Sequence, residues 1–170
     1  MEALQRLMLR IQELSKYSTT VRRKFAEKLA SLPYAEVDRN REASFHSMKN
    51  ILLHMVDNED WIVNFVVKGR SAEYSRRSWD EYTDMKMVLD HLREVEEKTA
   101  AFFADGSVDM ASIATFRTMK GTTISMTVEE CLLQSFTEQL YHMGELIAML
   151  WQDNIEPPTM QWFYNNPRTT

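Results

Sequence analysis

The sequence contains very few residues that interrupt a helix, and this constrains the fold more than any other feature. Among 170 residues there are only 4 Gly and 4 Pro, the two residue types that most often mark turns. The first segment repeats apolar side chains in steps of three and four, as one face of a helix requires. These side chains include Ile11, Leu14, Val21, Phe25 and Leu29. We therefore expect long amphipathic helices joined by few loops.

Local signals mark the ends of four such helices. The first ends before Pro33, because proline cannot continue the hydrogen-bond ladder of a helix. The second is predicted over 44–68, ending at Gly69, a residue suited to the left-handed conformation beyond a helix end. The third and fourth are predicted over 79–105 and 128–153. Each of these two begins at a capping box, formed by Ser78 with Glu81 and by Thr127 with Glu130.

Four amphipathic helices bury their apolar faces most economically against one another. The sequence therefore predicts an all-α four-helix bundle that forms a single domain over residues 1–170. Before the last helix, segments 115–119 and 122–125 have the β-branched content of short strands and flank a Lys-Gly turn. A short hairpin and an irregular loop both fit this stretch. We expect the aromatic tail at 162–164 to pack back on the bundle, because exposure forfeits apolar burial.

Charge and cysteine content narrow the classes of function. The net charge is −5 and the pI is about 5.4, so the chain lacks the basic footprint of a nucleic-acid-binding protein. Charged residues interrupt the apolar positions of the N-terminal segment, which argues against a signal peptide or a membrane span. The single cysteine, Cys131, has no partner for a disulfide within the chain, which favours a cytoplasmic location.

One constellation of polar residues has the character of a metal site. His54 lies in the second predicted helix, and Glu138 and His142 lie one turn apart in the fourth. All three fall at the edges of apolar helix faces, so they can converge inside a bundle. Two imidazoles and a carboxylate suit Zn²⁺, Ni²⁺, Fe²⁺ or Mn²⁺, with coordination positions left open for water or substrate. The alternative is that the histidines are half-buried hydrogen-bonding residues and Glu138 a solvated one.

Three further polar residues are candidates to orient those ligands without binding the metal themselves. Asn58 lies one turn after His54. Glu59 falls inside the apolar arc of the second helix, where a carboxylate needs a partner, so it either orients a ligand or is exposed by a shift in helical register. Ser18 replaces an apolar residue in the stripe of the first helix and either supports the site or relieves crowding. By contrast, His46 and His91 are expected on the surface.

Two short segments of the sequence resemble the DinB/YfiT-like superfamily of small metalloenzymes. They are the run 54–61 in the second helix and the run His142-Met143-Gly144-Glu145-Leu146 followed by Ile155-Glu156-Pro157-Pro158. The resemblance implies a bundle in up-down-down-up order, often dimeric, with a divalent ion held by one His of the second helix and two of the fourth. His54 matches the first position and His142 the last, whereas Glu138 stands where the middle His is usual.

The resemblance also implies a type of activity. Superfamily members with assigned activity resemble transferases or isomerases in which the metal activates a low-molecular-weight thiol. We therefore expect a homodimeric, metal-dependent enzyme that uses a thiol or water to attack a small electrophilic substrate, by transfer or by hydrolysis. One alternative is a non-catalytic interaction or dimerisation module with a degenerate metal site. A weaker one is a carrier of apolar ligands, suggested by 12 Met residues and the aromatic tail.

Overall fold

The computed structural model describes residues 2–118 and 120–165, and residues 2–10 through their backbone only. This part of the chain is mostly helical, as the sequence predicts. Two strands, β1 (Ile113–Arg117) and β2 (Thr123–Thr127), form a small antiparallel sheet. The helices are α1 (Glu2–Ala30), α2 (Tyr34–Asp38), α3 (Met48–Glu59), α4 (Met85–Asp105), α5 (Val128–Gln152) and α6 (Trp162–Asn165).

The four long helices contribute to one hydrophobic core. Helix α1 packs against both α4 and α5, and α3 packs against the same two helices. Apolar side chains removed from water are the main source of stability in such a core. Fully buried examples from the four helices are Phe25 and Leu29 of α1, Leu52 and Val56 of α3, Val88 and Val95 of α4, and Met143 and Leu146 of α5.

The second predicted helix differs from expectation in two ways. It begins at Met48 rather than near residue 44, because the Ser47 hydroxyl caps it by accepting a hydrogen bond from the Asn50 amide at 3.2 Å. After α3 the chain continues as a π-helix over Asp60–Val66, a wider turn that carries one residue more per hydrogen bond than an α-helix. The left-handed conformation predicted at Gly69 is confirmed by its φ of 69°, whereas the helical segment ends at Val66, two residues before the predicted end.

The start of the third helix was predicted wrongly. The Ser78–Glu81 capping box forms, with the Ser78 amide 3.3 Å from Glu81 Oε1, but it opens only a short 3₁₀ turn at Trp79–Glu81. Tyr82 then adopts an extended backbone, and α4 begins at Met85 under a separate Asp84 cap. A capping box satisfies the first amides of a helix but does not make the following residues helical.

The hairpin, one of the two interpretations left open, is present. Ile113 pairs with Thr127 and Arg117 with Thr123, while Met119 lies outside the described residues. Helix α5 follows β2 directly, and its predicted capping box is confirmed. The Glu130 amide donates to Thr127 Oγ1 at 3.2 Å, and the Thr127 amide donates to Glu130 Oε2 at 2.8 Å.

The aromatic tail packs back on α1 only in part. The Trp162 ring lies 4.6 Å from the Tyr17 ring, and Lys24 donates to Asn165 Oδ1 at 2.7 Å. Phe163 and Tyr164 remain 65% and 63% exposed, so the prediction was wrong for them. A helix as short as α6 turns only part of its circumference toward α1, and Asn165 occupies that side. Among the described residues, no helix has the length and apolar character needed to cross a membrane.

A buried ionic network joins all four long helices. Arg22 of α1 is completely buried, and its Nη1 lies 2.5 Å from Glu59 Oε2 of α3 and 3.0 Å from Gln139 Oε1 of α5. Its Nη2 lies 3.3 Å from Glu96 of α4, and Thr99 of α4 donates to Glu59 at 2.6 Å. Burial opposes the charge on Arg22, but the two carboxylates outweigh burial and raise its pKa.

This network yields a stability prediction. Arg22→Met is expected to lower the free energy of unfolding by about 3–5 kcal/mol, because it leaves the Glu59 carboxylate buried without its cation. The neighbouring Arg23 also binds Glu96 but is 57% exposed, so Arg23→Met should cost about 0–1 kcal/mol. Urea unfolding followed by circular dichroism measures both. Equal losses for the two variants would contradict the assigned role of the network.

Candidate metal centre

The structure brings together the three side chains predicted to bind metal. His54 projects from α3, and Glu138 and His142 project from α5. Nε2 of His54 lies 3.0 Å from Glu138 Oε1, and Nε2 of His142 lies 3.7 Å from the same oxygen. One potential ligand atom from each residue falls within 4.8 Å of the others. The i, i+4 spacing puts Glu138 and His142 on one face of α5, and the packing of α3 on α5 adds His54.

The chemistry and spacing of these atoms fit one divalent cation. Ligand atoms about 2.1 Å from a tetrahedral ion lie roughly 3.4 Å apart, which falls between the two separations observed here. The set offers two imidazole nitrogens and one carboxylate oxygen. Borderline and harder divalent metals accept such a set, and three protein ligands leave coordination positions open. The residues present therefore fit the group that the sequence implies.

Close contacts within the centre shift the pKa values of Glu138 and His142. The adjacent imidazoles of His142 and His54 hold the pKa of Glu138 far below the ordinary range of a carboxyl group, against the effect of burial. Burial of the His142 ring disfavours its charged form, but the carboxylates of Glu138 and Glu145 outweigh burial and raise the pKa of His142. The carboxylate at the centre is therefore ionised throughout the physiological range, as a metal ligand must be.

A second carboxylate supports His142 from behind, and sequence reasoning did not assign it this role. Glu145 Oε2 lies 2.5 Å from His142 Nδ1, and Ser44 donates to the same oxygen at 3.0 Å. Carboxylates bonded to the far nitrogen of a metal-binding histidine fix its tautomer and ring orientation. The available signal was the position of Glu145, three residues after His142 on the same helix face.

Aromatic rings form a wall beside the two histidines. Phe45 stacks on His54 with ring centroids 4.0 Å apart, and its edge faces His142 at 5.3 Å. Trp79 packs edge-to-face against both Phe45 and His54, at 5.7 and 6.4 Å. These contacts restrict rotation of the imidazoles. No helical spacing could reveal them, because Phe45 and Trp79 lie outside the helices that carry the ligands.

The three supporting candidates have different positions. Asn58 contacts the centre directly, since its amide donates to Glu138 Oε2 at 3.2 Å. The hydrogen bonds of Glu59 go instead to Arg22, Thr99 and Gln139, and Ser18 donates to Gln139 at 2.7 Å. Both residues therefore belong to the buried ionic network, which meets the centre through Gln139, the chain neighbour of Glu138, and through Glu59, the chain neighbour of Asn58. Glu59 stays buried although the helical register changes immediately after it.

The remaining polar candidates also have defined environments. His46 is exposed, as expected. The surface assignment of His91 was wrong: its ring is half-buried, stacked on Tyr82 and hydrogen-bonded to the Tyr82 hydroxyl. Cys131 is a core residue packed near Ile62 and Val66, and burial raises the pKa of its thiol, which disfavours a role as nucleophile.

Fold and centre together define a mostly helical protein with a candidate metal centre of two histidines and one glutamate, shared between two helices. The chain belongs to the DinB family, whose sequence model matches residues 5–167. No curated protein matches the chain.

The pKa of His142 provides a direct test of the geometry of the centre, because it depends on the nearby Glu138 carboxylate. In metal-free protein, Glu138→Gln is expected to lower the pKa of His142, because it removes the carboxylate that favours the charged ring while burial remains. Imidazole ¹⁵N shifts measured by NMR across pH 4–9 would show the change. Glu97→Gln, an exposed change on α4, is the matched control, and an unaltered His142 titration in Glu138→Gln would contradict the geometry.

The pKa shifts of His142 and Glu138 also determine how the free energy of unfolding depends on pH. A raised His142 pKa contributes stability that is complete below about pH 6.5, the ordinary histidine value, and is lost as pH rises through the folded value. A depressed Glu138 pKa contributes stability that is complete at pH values above the ordinary pKa of a carboxyl group. That stability is lost as the pH falls through the lower pKa of the folded state. The excess stability of the natural protein over Glu138→Gln should therefore be greatest near pH 6, on the order of 1 kcal/mol, and decrease toward pH 9.

Proposed function

We propose that this DinB-family protein is a divalent-metal-dependent enzyme that acts on a small electrophilic substrate. The co-reactant is a low-molecular-weight thiol in a transfer reaction or water in a hydrolysis. The observation that supports the proposal is the convergence of His54, Glu138 and His142 on one point with ligand atoms within 4.8 Å. When bound, Zn²⁺, Ni²⁺, Fe²⁺ or Mn²⁺ supplies a positive charge that lowers the pKa of a coordinated water or thiol.

The chain itself supplies orientation and charge. In the metal-bound state, Glu145 would accept a hydrogen bond from the Nδ1–H group of His142. The Nε2 lone pair of that ring would then be free to bind the ion. Phe45 keeps the His54 ring in place by stacking on it. Glu138 brings one negative charge, and two hydrogen-bond donors, Asn58 and Gln134, bind its second oxygen at 3.2 and 3.3 Å. These donors leave Oε1 of Glu138 directed at the two imidazoles.

The proposal includes the arrangement of the bundle. We take the four long helices to form a four-helix bundle, which the packing of α1 and α3 against both α4 and α5 supports, and we take their order to be up-down-down-up, as the resemblance implies. Ligands on two facing helices of a bundle form a rigid site. We also take the enzyme to act in the cytoplasm, where small thiols are reduced and a lone buried cysteine such as Cys131 is stable.

The decisive experiment measures metal content across a graded series of variants. Protein purified without chelators or a histidine tag, then supplied with Zn²⁺, Ni²⁺, Fe²⁺ or Mn²⁺, should retain about one equivalent of at least one metal. His54→Ala and His142→Ala should lose it. Glu145→Ala should weaken binding about 10–100-fold, the usual effect of removing a residue that orients a ligand. His46→Ala, an exposed histidine, is the matched control and should bind as the natural protein does.

Activity has to follow metal content. Consumption of small thiols in the presence of a chromogenic electrophile such as 1-chloro-2,4-dinitrobenzene, and hydrolysis of activated esters, should decline in the same order as metal retention. Natural protein that stays metal-free with all four ions rules out the proposal. Protein that binds metal but shows neither reaction supports a non-catalytic role.

The surface of α5 favours a second candidate function, self-association through this helix. Its exposed side carries an uncharged stripe, which we call the α5 stripe: Leu133, Thr137, Tyr141, Gly144, Ala148 and Trp151. Leu133, Tyr141 and Trp151 are 45%, 67% and 57% exposed. Contiguous apolar surface rimmed by polar residues is typical of protein interfaces. In a two-fold pair of antiparallel α5 helices, the large side chains of one copy meet the small ones of the other.

We therefore propose that the protein is a homodimer whose interface is the α5 stripe. Ala148→Glu should shift it toward monomer, because the interface would then bury like charges from both copies. Ala101→Glu makes the same change at an exposed position of α4 and should leave the dimer intact. Analytical ultracentrifugation distinguishes these outcomes. A natural protein that is monomeric, or a dimer unaffected by Ala148→Glu, would contradict the interface.

A further inference from the structure

A second polar cleft lies beside the candidate metal centre, and the proposed reaction does not use it. It has a volume of about 350 Å³ and lies where the start of the π-helix, the connector after it and α4 meet. Pockets of this size accommodate small molecules. The charged residues that line it are predominantly acidic: Asp57, Asp60, Asp90 and Glu94 face a single basic residue, Arg77.

Asp57 differs from the other carboxylates of the cleft. Its residue is only 6% exposed, and its Oδ2 accepts a hydrogen bond from Trp79 Nε1 at 2.6 Å. Its Oδ1 accepts no hydrogen bond among the described residues, and the imidazole nitrogen His91 Nε2 lies 3.8 Å away. Oδ1 is not fully enclosed by protein atoms and can be reached from the cleft. Asp57 therefore presents half of its hydrogen-bonding capacity to the cleft.

The other carboxylates each have a lysine close by. Asp90 lies 2.6 Å from Lys86, Glu94 lies 2.8 Å from Lys98, and Asp60 lies 3.7 Å from the same lysine. Within the described part of the chain, no lysine or arginine nitrogen comes within 4.0 Å of Asp57. Asp57, the most deeply buried acid of the cleft, is therefore the one that no described lysine or arginine contacts; burial raises its pKa, and the Trp79 hydrogen bond, His91 and Arg76 act against that rise.

Two phenols add neutral acceptors to the same cleft. The Tyr74 hydroxyl donates to the backbone carbonyl of Asp57 at 3.2 Å, and the Tyr82 hydroxyl lies 2.5 Å from His91 Nδ1. Burial, followed by the charge of Asp57, raises the pKa of Tyr82 to about 12 and that of Tyr74 still higher. Both phenols therefore stay protonated, and their oxygen lone pairs remain available to a donor.

We propose that this cleft binds a small primary ammonium ion, with Asp57 Oδ1 as its charged partner. An ammonium group carries three N–H donors and no acceptor, which matches a cleft with one underused carboxylate oxygen and two phenol oxygens. An anionic ligand would meet repulsion from the four acids. The net charge of −5 also attracts cations to the protein.

Trp79 connects the cleft to the candidate metal centre. Its indole nitrogen binds Asp57, while the edge-to-face contact with His54 has ring centroids 6.4 Å apart. A cation that draws charge from Asp57 changes the hydrogen bond to this indole. The Trp79 indole N–H resonance is therefore a local reporter of binding, and it does not depend on enzyme activity.

The test uses n-butylammonium as the probe and n-butanol as its neutral analogue, on metal-free protein at constant ionic strength. Butylammonium should shift the Trp79 indole resonance to saturation in ¹H–¹⁵N NMR spectra, while butanol and NaCl should not. Trp79→Phe identifies the resonance. Asp57→Asn should weaken the apparent affinity by about tenfold or more, and its amide oxygen can still accept from Trp79. Asp90→Asn, at an exposed acid paired with Lys86, should change affinity less than about twofold.

The result is separable from the proposed metal chemistry, because His142→Ala should bind butylammonium as the natural protein does. Equal shifts with butanol, shifts that never saturate, or binding unchanged by Asp57→Asn would each overturn the proposal. If Asp57→Asn does not fold, the comparison of butylammonium with butanol on the natural protein decides, supported by Tyr74→Phe, which removes one phenol acceptor.

Discussion

The contact between Arg22 and Glu59 is the constraint on which the rest of the structure depends. Two opposite charges with no exposure to water are tolerated only when they meet each other and saturate their remaining hydrogen bonds. Gln139, Thr99 and Glu96 supply further partners from α5 and α4, and Arg22 Nε is the one polar side-chain atom of the pair left without a partner among the described residues. Because apolar faces can slide along one another at little cost, a polar contact of fixed geometry gives the helices a defined relative position.

This contact also positions the two helices that carry the candidate metal ligands. Glu59 lies five residues after His54 on α3, and Gln139 directly follows Glu138 on α5. Fixing Glu59 against Gln139 therefore brings the next turn of each helix face to face, and that turn carries the three potential ligands. The same two helices, α3 and α5, therefore carry both the ionic network and the candidate metal ligands, although no residue of the network is itself a candidate ligand.

Much of this architecture was readable from the sequence, because the signals involved are local. Helix periodicity, the capping box at Thr127 and the left-handed glycine at 69 act over a few residues, and each is present as predicted. The start of α4, the environment of His91 and the wall formed by Phe45 and Trp79 were not readable. They result from contacts between residues distant in sequence, for which a helical pattern contains no information. Glu145 lies between these cases, since its spacing from His142 was visible but its partner was not assigned.

The π-helix at Asp60–Val66 gives one continuous helical segment two sets of neighbours. Before it, α3 directs Leu52, Met55 and Val56 into the main core. Within it, Ile62 and Val66 pack against Ala114 of the hairpin and Cys131. At about 100° per residue, an unbroken α-helix would place Ile62 and Val66 on the same face as Met55, and the wider π turns rotate them away from that face. The extra residue in each π turn sets the direction of the side chains that follow it. The length of this stretch is therefore constrained more tightly than its composition, because an insertion or deletion would reorient those side chains.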